Sequence, residues 1–244
     1  MKIVKLTIVF LSTISIVISL TVLGKRWVDN SPLFIVRNII IKGNESITEK
    51  NIISKINIKP EIHIFDIDIN KLNNRIKSDP FVKKVSTKRV FHSTIEIKIE
   101  EKNPVAFVIS ENSYTLVENI ELLSIPEQRR VYDIPAVTGI KDIEKRLKNN
   151  KSIEELKISY EILALMKKNK INLYDQISEI HINNSDIITV YLNERTIPVY
   201  IKNDELYRKF YYFRQFLNYA QSNNLLQNVE YINLCYKDQI IIKE

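Results

Sequence analysis

The 244 residues, 45% apolar and 27% charged, have globular composition and enough length for one large domain or two smaller ones. Three glycines, Gly24, Gly43 and Gly139, leave no material for a glycine-rich phosphate loop, a Gly/Ser linker or a collagen-like repeat, and the single Cys235 excludes an intrachain disulfide. Of the net charge of +7, Lys2 and Lys5 sit at the extreme N-terminus, and the remaining 34 basic against 29 acidic residues are too dispersed for a nucleic-acid interface. The nearest basic group, Lys83, Lys84, Lys88 and Arg89, falls in a segment that alternates like a strand, and suits a solvated face or attraction to anionic lipid or wall polymer.

In chain order, Leu6 to Gly24 is a nineteen-residue stretch without charge, close to the ~20 residues that cross a ~30 Å hydrocarbon core as a helix. It is too long for an ordinary signal-peptide core, and Val22-Leu23-Gly24 before Lys25-Arg26 is a poor cleavage site, which favours an uncleaved anchor. Lys2 and Lys5 balance Lys25 and Arg26, so flanking charge does not set orientation. The size of the C-terminal remainder places the bulk outside the cytoplasm, with Trp27 as an interfacial anchor.

Phe34 to Asn44 alternates apolar residues and ends in Gly-Asn, the pattern of a strand closing in a turn. Thr48 to Ile56, with Ile52, Ile53 and Ile56, reads as a helix. Asp68 is a candidate N-cap for a second helix over Ile69 to Lys77, stopped by Asp79-Pro80. Val82 to Phe91 and Ser93 to Glu101 form a hairpin in which Ile95, Ile97 and Ile99 alternate with Glu96, Lys98 and Glu100. The order strand, helix, helix, strand, strand is that of a small α+β domain.

Strands are further expected at Pro104 to Ser110, Tyr114 to Ile120, Ile177 to Asn183, Ile187 to Leu192 and Ile197 to Ile201. A helix over Ser152 to Lys168 carries Leu156, Tyr160, Leu163 and Met166 as a core stripe. A second helix, N-capped by Asp204 and reaching Ser222, carries Leu206, Phe210, Phe213, Phe216 and Leu217. Tyr207, Tyr211 and Tyr212 broaden that surface, while Lys209 and Arg214 reach solvent. Val229 to Glu244 reads as a strand, a Lys237-Asp238 turn and a strand of three isoleucines, with Cys235 as a small buried residue in the apolar strand.

Catalytic chemistry finds little support. His63, His92 and His181 stand far apart without a metal-ligand pattern, and there is no G-x-S-x-G nucleophile elbow. Glu100-Glu101 and Glu118/Glu121 could pair as in a glycosidase, but solvated strand or turn positions explain them more simply. No catalytic residue, metal site or cofactor is expected.

Four pieces, taken together and in this order behind an anchor helix, resemble the POTRA domain of the FtsQ/DivIB bacterial cell-division proteins. They are Phe34-x-Val36-x-x-Ile39-x-Ile41-x-Gly43-Asn44, Ile64-Phe65-Asp66-Ile67-Asp68, Asp79-Pro80-Phe81-Val82-Lys83-Lys84-Val85 and Ile97-x-Ile99-x-Glu101-x-x-Pro104-Val105-Ala106. Phe81 stands where that family often has Trp, and Phe91-His92 where it often has Trp-Pro. Ile134-Pro135-Ala136-Val137-Thr138-Gly139 and the ending Tyr231-Ile232-Asn233-Leu234-Cys235-Tyr236 extend the resemblance to nearly the whole chain, although Cys235 occupies a position that is typically Arg.

The resemblance implies an α+β architecture: a single transmembrane helix, a βααββ POTRA domain, then an α+β domain on a mostly antiparallel sheet with two helices. The corresponding segments are a cytoplasmic stub (1–5), the membrane helix (6–24), a linker (25–33), the POTRA domain (34–102) and a β domain (103–244). It also implies a non-catalytic divisome scaffold in the plasma membrane at the division septum. Such a scaffold binds FtsL/FtsB(DivIC)-like single-pass partners, and other divisome proteins through the POTRA domain, and so regulates septal peptidoglycan synthesis. The implied docking edge is Tyr236, Lys237, Asp238, Gln239, Ile240, Ile241 and Ile242, with Tyr236 as aromatic anchor and Ile240 to Ile242 pairing through their backbone. A POTRA-bearing envelope assembly or secretion factor is the alternative, though it would normally show repeated POTRA units or a β-barrel. A cell-wall hydrolase is a third.

Overall fold

The computed structural model describes residues 2–58, 61–125, 132–149, 151–182 and 186–244, and the chain divides into two compact units, Met1–Glu101 and Lys102–Glu244. The first begins with α1 (Lys2–Asn30), which is long and apolar enough to cross a membrane over Phe10–Asn30. Residues 25–30, expected as linker, continue this helix. Its end is bound rather than loose: Ser31 N–H donates to the Val28 carbonyl at 3.2 Å, and His63 Nε2 donates to the same carbonyl at 3.0 Å. Ser31 then caps a 3-10 turn, Pro32–Phe34. This is why Phe34, expected in a strand, lies in a turn with its ring buried.

The rest of the unit is β1 (Asn38–Lys42), α2 (Glu49–Ile56), α3 (Ile69–Lys77), β2 (Val82–Val90) and β3 (Thr94–Glu101), with sheet order β1-β3-β2. The central β3 runs parallel to β1 and antiparallel to β2. Thr48 and Asp68 cap α2 and α3 by accepting from the N–H of Asn51 and Lys71. Ile52, Ile56, Leu72 and Ile76 are buried, as are Ile95, Ile97 and Ile99 of β3. Each such side chain contributes about 1.5–3 kcal/mol relative to exposure. Ile53, expected in the α2 stripe, is exposed instead.

Two polar devices close this unit. Glu101 accepts from the N–H groups of Glu45, Ser46 and Ile47 at 3.0–3.2 Å and from the Ser46 hydroxyl, tying the end of β3 to the loop after β1. Gly43, at φ +77°, makes the turn between them, and a Cβ there would run into the Ile99 carbonyl.

The second unit is built on one nine-stranded sheet. Its strands are β4 (Pro104–Ile109), β5 (Ser113–Val117), β6 (Glu121–Ser124), β7 (Ala136–Thr138), β8 (Ile177–Ile182), β9 (Ile187–Leu192), β10 (Pro198–Lys202), β11 (Tyr231–Asn233) and β12 (Ile241–Lys243). Their spatial order is β12-β11-β10-β9-β8-β7-β4-β5-β6. Pairing is antiparallel except at β10/β11, β7/β8 and β4/β7. β6 and β7 add to the expected strands, and the 118–120 end of the expected Tyr114 to Ile120 strand is a 3-10 turn. Asn183, expected to end β8, lies outside the described residues.

The helices are α4 (Ile143–Lys148), α5 (Glu154–Met166) and α6 (Leu206–Ser222). The short α4 was not expected. Ile162, Leu163 and Met166 of α5 and Phe210, Phe213 and Leu217 of α6 share one core with Val108, Val137, Ile180, Val190, Val199 and Ile232 of the sheet. Gly139, at φ +84°, follows β7 where a Cβ would collide with the Ile182 carbonyl.

Three expectations for α6 are corrected. Asp204 does not cap it: the cap position is Glu205, in the left-handed region, while the Asp204 carboxylate is taken by Lys209. Lys209 is therefore not solvated, and its amine also donates to the Lys202 carbonyl at 3.2 Å. Arg214 is only half-exposed, with Nη1 buried and lacking a hydrogen-bond partner among the described residues. The tyrosines 207, 211 and 212 face outward rather than widening the core stripe.

Candidate docking edge at the end of the chain

Among the described residues β12 is the terminal strand of the nine-stranded sheet, with β11 as its one neighbour. The register is Tyr231↔Lys243, Ile232↔Ile242 and Asn233↔Ile241. Glu230 N–H donates to the Lys243 carbonyl at 2.7 Å, so Lys243 and, two residues away, Ile241 direct their backbone groups inward. Alternation then turns the N–H and C=O of Ile242 outward, the arrangement an incoming strand requires.

The other candidate residues do not all share this edge. Tyr236, Lys237, Asp238 and Gln239 form an exposed loop before β12, with Asp238 left-handed at φ +57°. Ile240 lies outside the ladder and is half-buried against the core, so it supplies packing rather than the backbone pairing expected of it. Cys235 is likewise in the loop and not in a strand. It is half-buried, its N–H donates to Asn233 Oδ1 at 2.8 Å, and burial pushes its thiol pKa up. That favours the unreactive thiol form.

The loop walls a cavity of about 420 Å³ whose other wall is the first half of α6, through Glu205, Arg208, Lys209 and Tyr212, with Leu234 and Ile240 also lining it. Arg208 spans the opening, paired with Asp238 and with Glu205 at 3.4 Å. These carboxylates, Asp238 foremost, raise the Arg208 pKa further, so it carries its charge throughout. Tyr236 is 55% exposed at the rim. Beside the strand, Tyr231 packs edge-on against Tyr200 at 5.6 Å, and Lys243 pairs with Glu230 at 2.8 Å.

Residues 34–102 match the model of the POTRA domain, FtsQ-type. Across most of the chain the similarity is to "Cell division protein FtsQ" of Syntrophotalea carbinolica, 23% identical over 96% of this chain and 82% of that one. "Cell division protein DivIB" of Clostridium acetobutylicum is 26% identical over 84% of this chain and 81% of its own length. Residues 34–102 thus match an FtsQ-type POTRA domain, and most of the chain is similar to FtsQ/DivIB cell-division proteins. A shorter match, 32% identical over 96 residues, links it to the FtsQ of Rickettsia bellii and covers 36% of each chain. Among the described residues α1 is long and apolar enough to cross a membrane, and together with this similarity it supports a single-pass membrane protein of cell division.

The α6 wall escaped the sequence reading. Glu205, Arg208, Lys209 and Tyr212 recur at i, i+3, i+4 and i+7, a stripe alongside the buried one, and this spacing was the available signal. Among the described residues, no group of three or more His, Cys, Asp or Glu side chains could hold a metal. Three carboxylates of the two pairs are engaged elsewhere: Glu100 with Lys83 at 3.1 Å, Glu101 with the 45–47 loop, and Glu121 with Lys102 at 2.8 Å.

Proposed function

We propose that this FtsQ/DivIB-like chain is a non-catalytic divisome scaffold that captures FtsL/FtsB(DivIC)-like single-pass partners by strand addition to the outer edge of β12. The observation carrying this reading is the position of β12: it ends the sheet, turns the Ile242 backbone outward, and lies beside an open groove. An added strand gains main-chain hydrogen bonds along β12, and Tyr236 with the α6 wall supplies side-chain selection. Tyrosine at such a rim offers large contact area for little conformational entropy.

In this arrangement residues 103–244 form the docking domain and the POTRA domain at 34–102 recruits other divisome proteins. The N-terminus is cytoplasmic, the POTRA domain and residues 103–244 are extracytoplasmic, and the protein works at the division septum, where partner capture regulates septal peptidoglycan synthesis. No cofactor enters this scheme.

Removing residues after Lys237 deletes β12 and the Asp238 partner of Arg208. The expected outcome is loss of capture of the coiled-coil partner while the POTRA domain keeps its fold by circular dichroism. Undiminished capture would sink the proposal. A fluorescent fusion should concentrate at midcell, and even distribution around the envelope would count for the assembly-factor alternative.

A further inference from the structure

Phe34 is 4% exposed and is the hub of an aromatic cluster at the end of the first unit that adjoins α1. Trp27 meets it edge-on at 6.2 Å, Phe65 lies at 5.6 Å, Phe91 at 5.5 Å and His63 at 5.7 Å. Three of these rings are open to the outside: Trp27 is 60% exposed, Phe65 52% and Phe91 68%. Leu33 and Val90 are exposed in the adjoining turn and strand. A contiguous apolar patch of this kind marks an interaction surface. A hairpin connection is normally made of small polar residues, and Phe91 follows β2 directly in the connection to β3.

Continuity with α1 says what covers the patch. The helix is unbroken from its apolar stretch to Asn30, and one residue, Ser31, separates it from the turn that holds Phe34. Trp27 is three residues past Gly24, or about 4.5 Å along the axis, inside the ~5–8 Å polar layer on each side of a bilayer. His63, between the rings of Phe34 and Phe65, holds the Val28 carbonyl and so fixes the cluster to the helix end. Aromatic rings partition into that layer. Lys25, Arg26 and Arg37 are offset in part by Asp29 and Asp66, so ring burial rather than net charge is the driving force.

We propose that this end of the POTRA unit rests in the interfacial layer of the bilayer that α1 crosses, with Phe65 and the Phe91 hairpin tip seated among the lipid head groups beside Trp27. The unit then has a membrane-bound face as well as a tether.

Trp27 is the chain's single tryptophan, which makes the test direct. Full-length protein carrying Trp27→Phe with Phe91→Trp is reconstituted in lipid nanodiscs, and its emission is compared with plain and brominated phosphatidylcholine. The expected result is blue-shifted emission quenched by the brominated lipid to an extent comparable with Trp27 in the parent. Replacing part of the phosphatidylcholine with phosphatidylglycerol should change this little. Trp27→Phe with Phe65→Trp is a second reporter outside the hairpin and should behave alike. Red, unquenched emission from both reporters overturns the proposal, because the face is then in water. Blue-shifted emission indifferent to bromine also overturns it, because the face is then covered by protein.

Discussion

The central strand β3 of the POTRA sheet and the last strand β12 of the larger sheet are both rich in isoleucine, yet they are held in opposite ways. β3 has neighbours on both sides, buries Ile95, Ile97 and Ile99, and carries Glu96 on its other face between Lys42 of β1 and Lys88 of β2 at 2.9 and 2.8 Å. Its end is tied to the 45–47 loop by Glu101. β12 is three residues long and has one neighbour among the described residues, and Ile241 is 39% exposed. The same residue type thus completes a core where both edges are paired and presents an edge where one is left open.

The largest expected effect lies on the β3 side. Phe81→Ala, at a ring 1% exposed, should lower the stability of the POTRA unit by about 3–5 kcal/mol, read from faster hydrogen exchange in α3 and β2. Glu101→Ala should cost about 2–3 kcal/mol, because it leaves three backbone N–H groups without their carboxylate, and a melting temperature equal to that of the parent would remove Glu101 from the comparison. On the β12 side, Tyr236→Ala should leave the melting curve within about 0.5 kcal/mol of the parent, since the ring is exposed. Partner affinity should nevertheless fall by about 2 kcal/mol, or roughly thirtyfold, in a titration.

The smallest effect is electrostatic. Hydrogen bonds from Lys88 and then Lys42 hold the Glu96 carboxyl down at about 2. That lies below the ~4.3 of an unfolded glutamate, so the folded state binds its proton less readily. The stabilisation is fully present above about pH 4.3 and is lost as pH falls through about 2. A carboxyl-detected NMR titration should place the Glu96 midpoint near 2 and move it upward in Lys88→Met.

The β3 side was also the more legible in sequence. Strict alternation from Ile95 to Glu100 and the Asp68 cap are local patterns, and local patterns survive folding when tertiary contacts agree with them. β6 and α4 were not visible because their signals are too short: β6 offers Leu122 and Leu123, and α4 is six residues with Ile143 alone buried. Asp204 misled because a carboxylate before a helix can cap it or pair with a lysine on the next turn, and Lys209 won. At the candidate site, the docking edge was expected from the family resemblance alone, and it is the spatial order of the sheet that puts β12 at its end. The groove required knowing that the first half of α6 lies against the 234–240 loop, a long-range fact that no periodicity carries.

The single-residue junction at Ser31 has a mechanical meaning. A flexible tether lets a domain sweep a volume that grows with its length and dilutes it against any one neighbour. Here one residue joins α1 to the Pro32–Phe34 turn and the helix end is clasped at the Val28 carbonyl, so the junction leaves little slack for such sweeping.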